Sequence, residues 1–329
     1  MATTTTGDNG SKVDVVQFSE QDKLGPIGNE KRSLLDDEAE LRRVLVSEFS
    51  AAADAAREAA GSVDRGVTTA VHEYRKALRR ARAVLSLLGR ALPKSERRAI
   101  NRALRDARRA LGTARDHAVA PDTLGVLTLG EVERGTADEI LRTATEAMPA
   151  VTEIKQLLAE GAARAAAQVE ALEAALPQTI GWKSVEQGIR NTYKDARNAR
   201  KSAKRSRRSF HAWRRRSKEL GYQLDLLAGY AGMRVQELAR EIEGVTDTQG
   251  PAVDLVMLRD FVNTHATGVA GEAVDTLVGA VENQIDDLVK DSRRAGRDAF
   301  SRKPRRFARR LTKAVRRDLA PVVVPDEVD

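Results

Sequence analysis

Apolar residues recur every three to four positions along most of the chain, starting near Ser33. This spacing places them on one face of a helix, whereas a half-buried strand would alternate apolar and polar residues. Gly and Pro, which end helices, fall between the regular runs. The sequence therefore predicts an all-α protein. The predicted helices cover residues 33–60, with Ser33 as N-cap, and then 67–92, 94–112, 137–148, 150–176, 183–203, 207–230, 233–243, 252–266, 270–294 and 304–319.

Three stretches do not fit the helical pattern. Residues 1–32 are polar and without period, and we expect a disordered arm there. Residues 117–136 contain Pro121 and three glycines, which predicts a looser segment. Residues 320–329 are expected to form a disordered tail.

Two segments separated by 139 residues share one apolar pattern. VHEYRKALRRARAVLSLL (71–88) and FHAWRRRSKELGYQLDLL (210–227) have apolar residues at the same positions, except that Leu78 falls opposite Ser217. The spacing of three and four residues predicts one buried face on each helix. The second half of the chain therefore repeats the helical plan of the first.

Polar residues coincide at the same offset. Each helix carries a His, followed by basic residues three, four and seven positions later, all on one helix face. Like charges at these spacings repel by roughly 0.2–0.5 kcal/mol per pair, so they do not stabilise the helix itself. Arg80 and Arg82 fall opposite Glu219 and Gly221 and lie outside the shared pattern. The shared pairs are His72 with His211, Arg75 with Arg214, Lys76 with Arg215, and Arg79 with Lys218.

Three other predicted helices carry basic faces of similar spacing. A single face of this kind is typical of a solvated helix, but several of them together with a repeated His favour a binding surface. Lys and Arg outnumber Asp and Glu by 14 to 4 in residues 72–116, by 14 to 2 in 183–218 and by 13 to 2 in 290–317. The basic faces consist of Arg98, Arg102, Arg105 and Arg109, then Arg190, Lys194, Arg197 and Lys201, and finally Arg302, Arg305 and Arg309.

The composition narrows the kind of ligand. The chain has 329 residues and a net charge of +8, which favours an anionic partner. It has no Cys, and the cations next to His72 and His211 would repel a metal ion, so we expect neither metal nor cofactor. No run of about 18 apolar residues is present, so no membrane span is expected. The default expectation is a soluble cytoplasmic protein.

A row of Lys and Arg along a rigid helix suits an extended anion with regularly spaced charges. Arg offers a planar fork to phosphate oxygens, and Lys offers a point charge. His72 and His211 have three interpretations: a neutral donor to phosphate, an imidazolium formed beside the anion, or a hydrogen-bonded His at the edge of the core. His117 and His265 have no counterpart at the offset.

Charge alone also permits nucleic-acid binding, although aromatic residues make up only 4% of the chain and offer few platforms for stacking bases. The sequence contains no GxxxxGK[ST], GxSxG or HExxH motif. We therefore expect a binding protein and not an enzyme. A nucleic-acid-binding helical protein and a phosphate-handling enzyme remain as alternatives.

With these residues identified, the chain resembles the CHAD domain, the conserved-histidine α-helical domain. The resemblance spans residues 33–317 and lies in five elements that occur in the family's order. Within the third element Asp195 and Ala196 depart from the family's TYRRGR pattern, which has a basic residue and Gly there. The elements are the helix at 71–88, ALGTARDHAV (110–119), NTYKDAR (191–197), the helix at 210–227 and FSRKPRRFARRL (300–311).

The resemblance implies two helical bundles, 33–177 and 178–319, related by a pseudo-twofold axis and with long basic helices facing a central pore or groove. It implies that the anion is inorganic polyphosphate, that the protein is recruited to polyphosphate granules, and that a granule-associated protein is a further partner. The resemblance also adds Tyr193 to the site. The predicted binding residues are His72, Arg75, Lys76, Arg79, Arg102, Arg105, Arg109, Arg190, Tyr193, Lys194, Arg197, Lys201, His211, Arg214, Arg215, Lys218, Arg305 and Arg309.

Overall fold

A computed structural model describes residues 37–319, with side chains to Val315. Within this range the chain forms eleven α-helices, one short 3-10 turn and no strand, which confirms the predicted all-α fold. The helices are α1 (Glu38–Gly61), α2 (Val67–Leu87), α3 (Lys94–Arg109), α4 (Gly112–Gly125), α5 (Glu131–Glu146), α6 (Val151–Ala175), α7 (Trp182–Ser202), α8 (Arg207–Ala228), α9 (Met233–His265), α10 (Gly271–Ala299) and α11 (Pro304–Leu319).

Local chemistry explains where the first helices begin and end. The side chain of Asp37 accepts hydrogen bonds from the backbone N–H groups of Ala39 and Glu40 at 2.7 and 3.0 Å, so it acts as the N-cap of α1. The predicted cap Ser33 lies outside the described residues, as do the predicted arm and tail. The predicted end of the second helix is several residues late, because Gly89 takes up a left-handed φ of 54° just after α2.

Two predictions of irregular backbone are wrong, and both involve a proline. The expected loose segment at 117–136 is mostly helical, because α4 continues through Pro121 and α5 follows after a short loop. Pro251 likewise lies inside α9, which the sequence pattern divides into two helices. A proline inside a helix costs about 3 kcal/mol. Core residues that directly follow each proline, such as Leu124 and Ala252, offset this cost by their burial.

The apolar face predicted from the repeat is buried in both halves. Ser217, the exception in the pattern, is as inaccessible as its counterpart Leu78, so the face continues through it. The buried positions form part of one continuous core that joins the two halves. Each of the following is at most 2% exposed: Val71, Tyr74, Leu78, Ala81, Leu85, Leu88, Phe210, Trp213, Ser217, Leu220, Leu224 and Leu227.

The order of the helices also repeats. The starts of α2, α3 and α5 at Val67, Lys94 and Glu131 are followed 140, 139 and 140 residues later by those of α8, α9 and α10 at Arg207, Met233 and Gly271.

Corresponding helices pack against each other, as α2 does on α8, α4 on α9 and α5 on α10. Within each half, α1 packs on α2 and α6, and α7 packs on α8 and α11. As a result α4 and α5 lie mainly against helices of the second half. The pseudo-twofold axis and the division into bundles 33–177 and 178–319 stay predictions.

Gly188 lies where α7 passes the end of α2, and it has no room for a side chain. A Cβ there would lie 2.5 Å from the carbonyl oxygen of Leu87 and 2.7 Å from that of Ser86. We expect Gly188→Ala to lower the free energy of unfolding by about 1–3 kcal/mol, because backbone has to move. Gly244 in α9 has open space around an added Cβ. Gly244→Ala should therefore raise stability by up to about 1 kcal/mol through helix propensity. Denaturant unfolding measures both values, and equal stability of the two variants would contradict the close contact.

Candidate functional site

The two His-bearing helices predicted from the repeat, α2 and α8, pack directly against each other. The side-chain amide of Gln223 donates to the carbonyl oxygen of Ala83 at 3.2 Å, and the hydroxyl of Ser86 donates to the carboxylate of Glu219. These contacts lie in the C-terminal halves of both helices. His72 and His211 lie in the first two turns of α2 and α8, so the packed ends hold the two His-bearing ends in fixed positions.

Guanidinium groups from four helices gather around this helix pair. Burial, together with Arg115 and Arg108, lowers the pKa of Arg75 to about 9. Burial, together with Arg79 and Arg82, lowers the pKa of Arg108 to about 10. Such mutual repulsion creates a strong positive potential that attracts anions. The side chains, termed the cationic cluster, are Arg75, Arg79 and Arg82 from α2, Arg105, Arg108 and Arg109 from α3, Arg115 from α4, and Arg214 and Arg215 from α8.

Two members of the cationic cluster hold backbone instead of pointing into solvent. Arg75 is only 7% exposed, and its Nη1 donates to the carbonyl oxygens of Arg108 at 3.0 Å and Leu111 at 3.3 Å. It thus satisfies acceptors that the end of α3 leaves open. Its counterpart Arg214 donates from Nη1 to the carbonyl oxygen of Thr246 at 2.7 Å. Both guanidinium groups therefore position the site from beneath.

Neither His72 nor His211 is buried, which argues against the interpretation as core histidines. The side chain of His72 is 60% exposed, and its Nε2 lies 3.9 Å from Oε1 of Glu73. Partial burial lowers the pKa of His72, and the nearby Arg79 acts in the same direction. Partial burial also lowers the pKa of His211, with Arg214 adding to the effect. Both imidazoles are therefore neutral at neutral pH in the free protein and become protonated more readily beside an anion.

Carboxylates accompany the cationic cluster on two sides. Arg115 forms ion pairs with Asp116 and Asp254, each at 3.4 Å. On the other side Arg216 binds Glu219 at 2.7 Å and lies 3.7 Å from Asp195. The departure of Asp195 from the family pattern thus places a negative charge next to Arg216.

Tyr193 is wrong as a direct contact to a ligand. Its side chain is completely buried, its hydroxyl donates to the carbonyl oxygen of Ala299 at 3.0 Å, and its ring stacks on that of Phe307 with centroids 3.9 Å apart. Arg197, one turn later, donates from Nε to the carbonyl oxygen of Phe300 at 3.1 Å. These two residues tie α7 to the segment between α10 and α11.

The other predicted residues fall into separate places. Lys76 forms an ion pair with Glu73 at 3.3 Å beside His72, and Lys218 lies near Asp225. Arg102 is exposed on α3. The remaining residues lie on α7 and α11, which pack on each other, and they are Arg190, Lys194, Lys201, Arg305 and Arg309. Their part in binding stays a prediction.

Three members of the cationic cluster are absent from the set that the sequence predicts. Arg82 falls outside the repeat, yet in the fold it lies close to Arg105 and Arg215. Arg108 is one position away from the regular basic face of α3, and it becomes close to α2 because α3 packs there. Arg115 stands within the segment that resembles the family, and that segment was the one signal for it.

A smaller basic cavity lies between α9 and α11. Its volume is about 90 Å³, and it is lined by Arg234, Arg310, Lys313, Leu238 and Ala314. In the described part of the chain, His, Asp and Glu do not form a group of three or more that could hold a metal ion. A helix long and apolar enough to cross a membrane is likewise not found between residues 37 and 319.

Comparisons with known proteins follow the same features. The sequence model of the CHAD domain matches residues 48–263, a range that includes His72 and His211. The crystal structure of the CHAD domain from the plant Ricinus communis has a similar fold, with a TM-score of 0.61 and 17% identity. That similarity covers 84% of this chain and 96% of the plant chain. No curated protein is significantly similar in sequence.

Proposed function

Because this chain belongs to the CHAD domain family, we propose that it binds inorganic polyphosphate through the cationic cluster and does not hydrolyse it. The observation that carries the proposal is the convergence of Arg side chains from α2, α3, α4 and α8 beside two histidines. Polyphosphate carries a negative charge on every phosphate, and Arg binds phosphate oxygens with a planar fork. The ligand and the cluster therefore match in charge and in chemistry.

The shape of the cationic cluster favours a linear ligand. Arg75, Arg79 and Arg82 follow one face of α2 over two helical turns, a distance of about 10 Å. Arg109 of α3 and Arg215 of α8 add cations along this row. A flexible chain of phosphates can follow the row and contact several cations at once.

The proposal extends to the cell. Binding of this kind would recruit the protein to polyphosphate granules in the cytoplasm, where a granule-associated protein would be a further partner. The support for this part is the family and its ligand chemistry.

Nucleic acid is the main alternative ligand. The large aromatic side chains of α2 and α8, Tyr74 and Trp213, are fully buried and present no ring to an unpaired base. Titration of long-chain polyphosphate, followed by competition with duplex DNA at equal phosphate concentration, separates the two ligands. We expect saturable binding that DNA does not reverse. Displacement by DNA would overturn the proposal in favour of the alternative.

A phosphate-handling enzyme is the second alternative. Incubation of the protein with polyphosphate, with and without Mg²⁺, tests it by the release of orthophosphate. We expect no release above the rate of the buffer control. Sustained release that depends on protein concentration would overturn the non-enzymatic assignment.

The two histidines predict that polyphosphate binding takes up protons. Their pKa values are lowered in the free protein, and a bound polyanion raises them, so the complex favours the protonated forms. Affinity should therefore rise about threefold between about pH 8 and about pH 6. Isothermal titration in two buffers of different ionisation enthalpy measures the proton uptake. A His72→Gln/His211→Gln variant should lose most of it, and undiminished uptake in that variant would assign the protons to other groups.

A further inference from the structure

Arg115 stands where the cationic cluster is most crowded, yet it is already paired. Its positive charge contributes to the lowered pKa values of both His72 and His211, so it lies within reach of both. Its Nη1 lies 3.4 Å from Oδ1 of Asp116, and its Nη2 lies 3.4 Å from Oδ1 of Asp254. The side chain of Arg115 is 21% exposed, so these carboxylates occupy much of the space in which a phosphate could meet it.

Asp254 lies between cations from both halves of the chain. Thr246, Gly250 and Asp254 follow one face of α9 at a spacing of four residues. Arg214 binds the carbonyl oxygen of Thr246, and its guanidinium nitrogens lie 3.6 and 3.7 Å from the position of a Cβ on Gly250. The next turn along that face carries Asp254. Burial lowers the pKa values of Arg214 and Arg115, and in both cases the negative charge of Asp254 opposes the effect.

The pairing follows from the repeat. Asp254 is the counterpart of Arg115 at the offset of 139 residues. Because α4 packs on α9, these two equivalent positions meet, and they carry opposite charges. The central cation of the site is thus neutralised by the chain itself.

We propose that Asp254, together with Asp116, makes the site selective for long polyphosphate chains over short phosphates by neutralising Arg115. This inference rests on the proposed function. A short anion needs a place where several cations converge, and around Arg115 the two carboxylates already compete with it. A long chain also contacts Arg79, Arg109 and Arg215, which form no ion pair within the described part of the chain. It therefore binds without displacing either carboxylate.

Calorimetric titration of tripolyphosphate and of long-chain polyphosphate into three proteins tests the proposal. The proteins are the wild-type chain, Asp254→Asn and Asp275→Asn, which removes the same charge from an exposed position on α10. We expect Asp254→Asn to bind tripolyphosphate about tenfold tighter than wild type and long-chain polyphosphate less than about threefold tighter. Asp275→Asn should behave as wild type with both ligands.

The outcomes separate this inference from the proposed function. Equal behaviour of Asp254→Asn and Asp275→Asn overturns the role of Asp254, and equal gains for the short and the long ligand overturn the selectivity. Absence of long-chain binding by the wild-type chain overturns the proposed function itself. If Asp254→Asn does not fold, as judged by circular dichroism, Asp116→Asn decides the matter. Tighter tripolyphosphate binding by Asp116→Asn supports the inference, and unchanged binding overturns it.

Discussion

Replacing Arg79, Arg109 and Arg215 together by Gln is expected to weaken the binding of long-chain polyphosphate about hundredfold, because each lost ion pair contributes about 1 kcal/mol. The three side chains come from α2, α3 and α8, and all are at least partly exposed. They are better choices than Arg75 and Arg214, which hold backbone carbonyl groups and whose loss would disturb the fold. Fluorescence titration at several salt concentrations measures the change, and the variant should also show a weaker dependence on salt.

A matched variant separates a site from general charge. Arg43, Arg57 and Arg164 lie exposed on α1 and α6, and their replacement by Gln removes the same charge from the chain. We expect this variant to bind polyphosphate within about threefold of wild type, since distant exposed charges are screened by salt. Equal weakening of both triple variants would mean that net charge, and not the cationic cluster, determines binding.

Trp213→Ala is expected to lower the free energy of unfolding by about 3–5 kcal/mol, the largest effect on stability that a single substitution in this core should have. The side chain of Trp213 is completely buried. Its ring meets those of Phe210 and Phe300 edge-on, with centroids 5.8 and 6.2 Å away. On its other side is Gly296 of α10, where even a Cβ would come within 2.6 Å of the ring. The cavity left by Ala would therefore separate α8 from α10.

Trp182 provides the control for this prediction. It is only partly buried, and its Nε1 donates to the hydroxyl of Thr312 at 3.3 Å. Trp182→Ala should cost about 1–2 kcal/mol, because less apolar surface is lost from the core. Denaturant unfolding monitored by circular dichroism compares the two. A loss in Trp213→Ala that is no larger than that in Trp182→Ala would contradict the packing described for α8.

The sequence predicts the helices well, because their apolar spacing is the same property that buries them. Helix starts such as Lys94 and Arg207 agree closely with the structure. The failures at Pro121 and Pro251 have one physical cause. A proline is a local signal against helix, and packing of α4 and α9 on the rest of the molecule outweighs it. Local sequence does not contain that tertiary contribution.

The repeat identifies part of the candidate site and conceals another part. Comparison of like with like finds His72 and His211, since both halves carry the same residue. The same comparison passes over Arg115, because its counterpart Asp254 has the opposite charge. In the fold this opposition is informative, since it identifies an ion pair across the two halves.

The sequence also does not distinguish a residue that touches a ligand from one that supports the site. Tyr193 and Arg75 occur in segments that carry the family resemblance, and both are buried with their polar atoms on backbone carbonyl groups. Arg82 shows the converse, since the repeat excludes it and the fold places it among cations of α3 and α8. Which helices become neighbours decides each case, and a single helix pattern does not contain that information.

The most direct test of the central claim is a crystal structure of the whole chain bound to polyphosphate. We predict a chain of phosphates along α2, between α3 and α8, with oxygens within hydrogen-bond distance of Arg79, Arg109 and Arg215. Phosphates bound instead to the basic faces of α7 and α11, or in the cavity lined by Arg234, Arg310 and Lys313, with the cationic cluster empty, would contradict the account.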